Sequence, residues 1–339
     1  MANRFAPKLH RGLKLIRATA KRLLKQRTWR LTRPFLRRRF RILVERPEAM
    51  GDVLASTPIL RQLKRDFPDC YLTFLADWKS EAILEHNPDV DEVVISRRHL
   101  IGRRFDRTIN LVYETRPELH ILDAYAECAG IELDCCDYVL NLSPADREYA
   151  SNLLVQHSIT ADVPLIGVHA YANWPNRVWP RANFEAVIEH FRVDYGARIV
   201  VFGAEPQAAL EGDIDLVGKT SIQQTAAVLE RCHLLLCVDS LLLHLAGAMR
   251  TPTVCIFGPI LPELRLPRNR ISVGVNLSQL ACIGCHHRSR APSLRTDCVH
   301  DRIYCMEDLQ PDIVIAAMER LWQGITVDPD HEMIELASS

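Results

Sequence analysis

From Arg41 onward the chain repeats one pattern, a short apolar run followed by an amphipathic stretch, and this rhythm limits what it can fold into more than any other feature. Ile42-Leu43-Val44, Tyr71-Leu72-Thr73-Phe74-Leu75 and Val93-Val94-Ile95 read as strands, with helices expected over 51–67 and 79–85; residues 108–112 and 118–128 continue the series. Strands alternating with helices make βαβ crossovers and a parallel sheet covered on both faces. Leu142-Ser143-Pro144 interrupts the pattern, a polar helix runs to about His157, and the rhythm restarts. Strands are expected at 165–168, 198–202, 234–238 and 253–257, with helices over 181–194, 221–231 and 240–249 and a last one over 309–322. The halves share rhythm rather than sequence, and no short-period repeat occurs. The expected class is α/β, with two Rossmann-like doubly wound domains, 41–160 and 161–325, facing a central cleft. Ligands in this architecture sit outside the carboxyl ends of the strands.

A chain of 339 residues, 48% hydrophobic and 25% charged, can fill two such cores. Its net charge is zero, but residues 1–40 hold 14 Lys and Arg and no Asp or Glu, which leaves 28 basic against 42 acidic residues in the body. In that leader Phe5, Leu9, Leu13, Ile16 and Ala20 recur at steps of three and four with basic residues around them, the pattern of a basic amphipathic helix suited to an anionic membrane surface. Attraction to anionic lipid is worth about 1 kcal/mol per cation near the surface. A solvated basic tail, a misassigned start and a nucleic-acid arm are the other readings, and the last lacks a base-stacking motif; no nucleic-acid partner is expected. No run approaches the roughly 20 apolar residues of a membrane span, and no secretory signal is legible. The expected location is cytoplasmic, peripheral on the inner face of the membrane. Residues 326–339 read as a tail.

No G-x-G-x-x-G follows the first strand and no G-x-x-x-x-G-K-[ST] occurs, so dinucleotide and P-loop readings lose their main support. After the first strand, Gly51 is placed to let the backbone turn tightly and Asp52 to start a helix facing the cleft. Asp52 has two readings: a base that accepts a hydroxyl proton, or an N-cap satisfying helix N–H groups. In the second half Asp239-Ser240 lies between a strand and a helix, where N–H groups and the helix dipole meet phosphate oxygens, and His244 follows about one turn in. Arg177 places a permanent cation at another strand end, and Glu205 a carboxylate at a third. Cys282, Cys285, Cys298 and Cys305 have two readings, a structural zinc site or buried reduced thiols, because the last interval is longer than usual for zinc.

Met50-Gly51-Asp52-Val53-Leu54 with Thr57-Pro58, Asn87-Pro88-Asp89-Val90-Asp91, Trp179-Pro180, Asp239-Ser240 with His244-Leu245-Ala246, Thr251-Pro252-Thr253 and Phe257-Gly258-Pro259 together resemble the glycosyltransferase family 9 heptosyltransferases. The resemblance runs from about Arg41 to Trp322. It implies a GT-B fold, an N-terminal acceptor domain, a C-terminal donor domain, and cofactor-free inverting transfer from an ADP-heptose donor to a lipid-linked saccharide of the lipopolysaccharide inner core. It further implies Asp52 as general base, Arg177 at the leaving diphosphate in place of the family's Lys, Glu205 at the donor ribose, Asp239 at the donor sugar, and Ser240, the following backbone and His244 at the phosphates. Two features depart from the family. Leu241-Leu242-Leu243 replaces a small-residue run, and a side chain at Leu241 narrows the approach to phosphate; Ile260-Leu261-Pro262 replaces Thr-Asp-Pro. A GT-B transferase using another nucleotide sugar for capsule or exopolysaccharide, and a non-catalytic nucleotide-sugar-binding protein at the membrane, are the alternative functions.

Overall fold

The apolar run after Arg41 becomes the inner strand β1 (Arg41–Glu45), buried at every position but its first, as a strand covered on both faces requires. Beside it lie β2 (Tyr71–Leu75), β3 (Glu92–Val94) and β4 (Arg107–Asn110), in the order β3-β2-β1-β4, every pair parallel. The second sheet comprises β5 (Leu165–His169), β6 (Arg198–Val201), β7 (Ile214–Asp215), β8 (Leu234–Val238), β9 (Thr253–Ile256) and β10 (Ser272–Val275), in the order β10-β9-β8-β5-β6-β7 and again parallel throughout. In each sheet the order reverses beside its first strand, between β1 and β4 and between β5 and β8. Those are the switch points where a doubly wound sheet opens a crevice. The computed structural model describes residues 39–204, 210–268, 271–288, 298 and 300–327, so residues 1–38 of the basic leader, Glu205 and residues 328–339 of the tail fall outside the described residues, and the last helix runs to Val327, into the stretch read as tail.

Local sequence accounts for most of the helix boundaries. The helix Pro144–Gln156 starts at a capping box between Ser143 and Asp146 with Pro in its first turn, and Ile222–Leu229 starts at one between Ser221 and Gln224. The single helix expected over 51–67 is two, Met50–Ala55 and Thr57–Asp66. The break falls where Pro58 enters the first turn of the second, and where Ser56 and Thr57 turn their hydroxyls onto the Val53 and Leu54 carbonyls. The helix expected over 79–85 is a short 3-10 turn, Glu81–Leu84. Strands β7 and β10 were not expected: one spans two residues, and the other, Ser272-Val273-Gly274-Val275, is an edge strand only partly buried.

The two halves are packed together. One apolar cluster contains Leu54 from the first and Leu245 from the second, and the helices Met50–Ala55 and Leu241–Met249 meet across the cleft. Polar ties run beside this contact: the His120 ring bonds the Leu266 carbonyl at 2.9 Å, Arg147 pairs with Glu230 at 3.0 Å, and Gln223 donates to the Ala82 carbonyl at 2.6 Å. The helix Pro311–Val327 returns to pack on Arg181–Tyr195, and the buried Trp179 indole donates to the Leu309 carbonyl at 2.9 Å. Among the described residues no helix is long and apolar enough to cross a membrane.

Candidate functional site

The carboxyl ends of β1, β4, β5 and β8 converge on one cleft of about 320 Å³. On the first wall the chain leaves β1 through Arg46 and reverses at Ala49, a non-glycine residue at φ 64 and ψ 100, directly before the Met50–Ala55 helix. The tight turn expected at Gly51 is thus made at Ala49, and Gly51 lies inside the helix without a positive φ. What Gly51 supplies is space: a Cβ there would come within 2.8 Å of the His244 Cδ2 atom. No side chain caps this helix, so the N-cap reading of Asp52 does not hold; the carboxylate sits in the first turn, where the helix dipole favours it.

Asp52 is buried and forms an ion pair with Arg46. The Arg46 Nη2 that contacts Asp52 also pairs with Glu114 at 2.9 Å, and Nη1 donates to the Leu111 carbonyl at 3.1 Å, both partners coming from the segment following β4. Burial acts to discharge Arg46, but Tyr125, Asp52 and Glu114 outweigh it and hold the guanidinium above its ordinary value. Glu114 is likewise held below its usual range, because Arg46 outweighs the effect of burial. Tyr113, beside them, is pushed up to about 12, by burial first and then by the Asp52 charge, and remains a neutral phenol.

On the facing wall Arg177 lies flat on the Trp174 ring at 3.8 Å and reaches Asp239, its Nη1 3.2 Å from the carboxylate and 3.3 Å from the carbonyl oxygen. Ser240 is the extended N-cap of the Leu241–Met249 helix, and its hydroxyl oxygen caps nothing and has no partner among the described residues. The first N–H groups of that helix therefore open onto the cleft, beside the half-buried Leu241 that lines it. His244 is buried against the Tyr138 ring at 5.7 Å and against Gly51; burial depresses its pKa, so its ring is neutral. A third cation, Arg265, stands between the walls with its guanidinium 3.9 Å from the Tyr113 ring centre.

Asp52, Gly51, Arg177, Asp239, Ser240, Leu241 and His244 therefore meet at one site, and Glu205 lies outside the described residues. Cys282, Cys285, Cys298 and Cys305 line a separate enclosed pocket of about 10 Å³ with Asn176, the neighbour of Arg177. None of the four forms a disulfide among the described residues; burial, with the three neighbouring thiols, pushes Cys305 up to about 12. Among the described residues no group of three or more His, Cys, Asp or Glu is arranged to hold a metal ion. The segment has a second effect on the site: the ring of His286, next to Cys285, packs 5.0 Å from Trp174, behind Arg177. The sequence reading assigned no role at this site to Arg46, Glu114, Tyr113, Trp174, Arg265 or His286. Arg46, Trp174, Arg265 and His286 stand in or near quoted segments, His286 beside the cysteine cluster, whereas Glu114 and Tyr113 come from a stretch without periodicity; the shared position of all six appears only in three dimensions.

Comparison with known proteins adds the following. A family model described as glycosyltransferase family 9 (heptosyltransferase) matches residues 118–295. Lipopolysaccharide heptosyltransferase 2 of Escherichia coli K12 is 23% identical over 300 residues, covering 67% of this chain and 85% of that protein. Lipooligosaccharide heptosyltransferase 2 of Haemophilus influenzae is 20% identical over 296 residues, with the same shares. Among solved structures, a family 9 glycosyltransferase from Veillonella parvula superposes with a TM-score of 0.67 at 20% identity, covering 84% of this chain and 97% of that one. The E. coli ADP-heptose lipopolysaccharide heptosyltransferase II gives 0.64 at 19%, with shares of 85% and 100%. The iron-containing dodecameric glycosyltransferase TibC of enterotoxigenic E. coli gives 0.65 at 15%, with shares of 86% and 78%. These likenesses establish the GT-B fold expected from the sequence.

Proposed function

Because the chain belongs to glycosyltransferase family 9, we propose that it moves a heptose or a similar sugar from an ADP-sugar to a lipid-linked acceptor of the lipopolysaccharide inner core, with inversion at the anomeric carbon. The observation that carries this reading is the single cleft with Asp52 on one wall and, on the other, Arg177, Asp239 and an open helix N-terminus. The names of the relatives supply the sugar, the base and the acceptor class.

In the proposed reaction one Asp52 oxygen stays on Arg46 while the carboxylate accepts the proton of the acceptor hydroxyl, whose oxygen attacks the anomeric carbon. The bond from that carbon to the diphosphate breaks on the opposite face. The negative charge gathering on the leaving diphosphate meets Arg177 and the first N–H groups of the Leu241–Met249 helix. Asp239 holds donor sugar hydroxyls, Glu205 the ribose, and His244, neutral and packed on Gly51, fixes the helix end in place. The leader would keep the enzyme on the anionic surface where its acceptor lies.

The test is a thermal-shift comparison of ADP, UDP and GDP at equal concentration, followed by transfer to a lipid-A-linked acceptor. ADP should stabilise most, by roughly 2.7 kcal/mol at a hundredfold excess over its dissociation constant. A larger shift with UDP or GDP would move the assignment to another nucleotide sugar.

A further inference from the structure

The cleft holds three buried or largely buried arginines, and they differ in one respect. Arg46 faces Asp52 and Glu114, and Arg177 faces Asp239. Arg265 is 4% exposed, yet among the described residues it has no ion pair: its Nη1 makes only a 3.4 Å contact with the carbonyl of its neighbour Leu264, and its Nη2 has no partner at all. The Tyr113 ring, from the other half of the molecule, lies 3.9 Å from the guanidinium carbon; burial acts to discharge Arg265, but Tyr113, Asp52 and Asp239 outweigh it and hold the guanidinium above its ordinary value, while Nη2 has no acceptor. A buried N–H donor without an acceptor is costly to a folded chain, and here it belongs to a guanidinium that lines the cleft with Asp52 and Asp239.

We propose that Arg265 binds a substrate oxyanion at the centre of the cleft, either a phosphoryl oxygen of the donor diphosphate or an acid group on the acceptor sugar. A guanidinium presents a planar fork of donors that matches phosphate or carboxylate in two parallel bonds, and the Tyr113 stack fixes the plane of that fork before the ligand arrives. The 3-10 turn Pro262–Leu264 after β9 delivers the residue, so the segment in which Ile260-Leu261-Pro262 departs from the family pattern is the one that brings this cation into the site. Arg265 lines the same cleft as the proposed base Asp52 and the helix N-terminus at Ser240 and Leu241. The proposal deepens the glycosyltransferase reading and rests on it for the identity of the ligands.

The experiment compares the wild-type full chain with Arg265→Leu and Arg265→Lys, measuring the melting midpoint without ligand, ADP affinity by calorimetry, and KM for the acceptor. Arg265→Leu is expected to change the ligand-free midpoint little, since the N–H group without an acceptor and the attraction of Asp52 and Asp239 are removed together, and to weaken one ligand about tenfold or more. Weaker ADP binding places the donor diphosphate on Arg265; retained ADP affinity with a raised acceptor KM places the acceptor's acid group there. Arg265→Lys, which keeps the charge without the fork, should recover part of the loss. A lower midpoint with wild-type ADP affinity and acceptor KM would show that Arg265 serves only to pack Tyr113, and would overturn the proposal. Should Arg265→Leu fail to fold, wild-type values for both ligands in Arg265→Lys would overturn it equally. If wild-type protein binds no ADP, the nucleotide reading fails first, and the same comparison with inorganic diphosphate still decides for or against the oxyanion site.

Discussion

Arg46 and Asp52 stand six positions apart, and the reversal at Ala49 folds them into an ion pair that faces the cleft. The pair makes the choice of substitution important. Asp52→Ala would leave the Arg46 charge against a void, whereas Asp52→Asn keeps the volume and removes the basicity. We expect Asp52→Asn to lower transfer about a hundredfold or more while ADP affinity by calorimetry stays near wild type; retained turnover would remove Asp52 from the base role. Gly51 supports a second expectation. Its absent side chain is the space occupied by the His244 ring, which Tyr138 backs on its other side. Gly51→Ala should therefore destabilise the fold by about 1–3 kcal/mol in urea denaturation. An unchanged midpoint would mean that the ring moves aside freely.

Among the elements, the helix Ile121–Ala129 has a titratable N-terminus. The His120 Nδ1 accepts the Leu122 N–H at 3.1 Å, so the proton sits on Nε2 and is donated across the interface to the Leu266 carbonyl, next to Arg265. Protonating Nδ1 would break the cap. Burial, chiefly, lowers the pKa of this ring from 6.5 to about 4, so between those values the unfolded chain takes up a proton that the folded chain refuses. Stability from this group is complete above about 6.5 and declines as pH falls toward 4, by at most about 3 kcal/mol. Chemical denaturation at stepped pH should show that slope, and His120→Gln should flatten it while lowering stability at pH 8; an equal slope in the variant would exclude the ring as its source. Elements of this kind were unevenly legible. The inner strands announced themselves as apolar runs because they are covered on both faces, while β7 and β10 are edge strands too short or too mixed to leave a pattern. The same limit applies to the site. Asp52, Arg177 and Asp239 follow legible strands, but Glu114 and Arg265 follow β4 and β9 in irregular segments, and only in the folded chain does Arg265 line the same cleft and Glu114 reach it through Arg46.

At the scale of the whole molecule, charge is segregated by position in the chain, with 14 cations in the first 40 residues and an acidic body behind them. We expect the full chain to sediment with vesicles rich in anionic lipid, a chain beginning at Arg41 to stay in solution, and salt to release the full chain. Equal sedimentation of the two would reject the leader as the anchor. The way the donor half is closed bears on how the protein is made. Trp179, two residues past Arg177, donates its indole proton to Leu309, and the Pro311–Val327 helix covers Arg181–Tyr195. A ribosome releases the first half with every strand of its sheet in hand, whereas the wall that carries Arg177 waits on residues translated more than a hundred codons after that arginine. During synthesis, then, the half that carries Asp52 can be complete while the half that carries Arg177 is still without its last support.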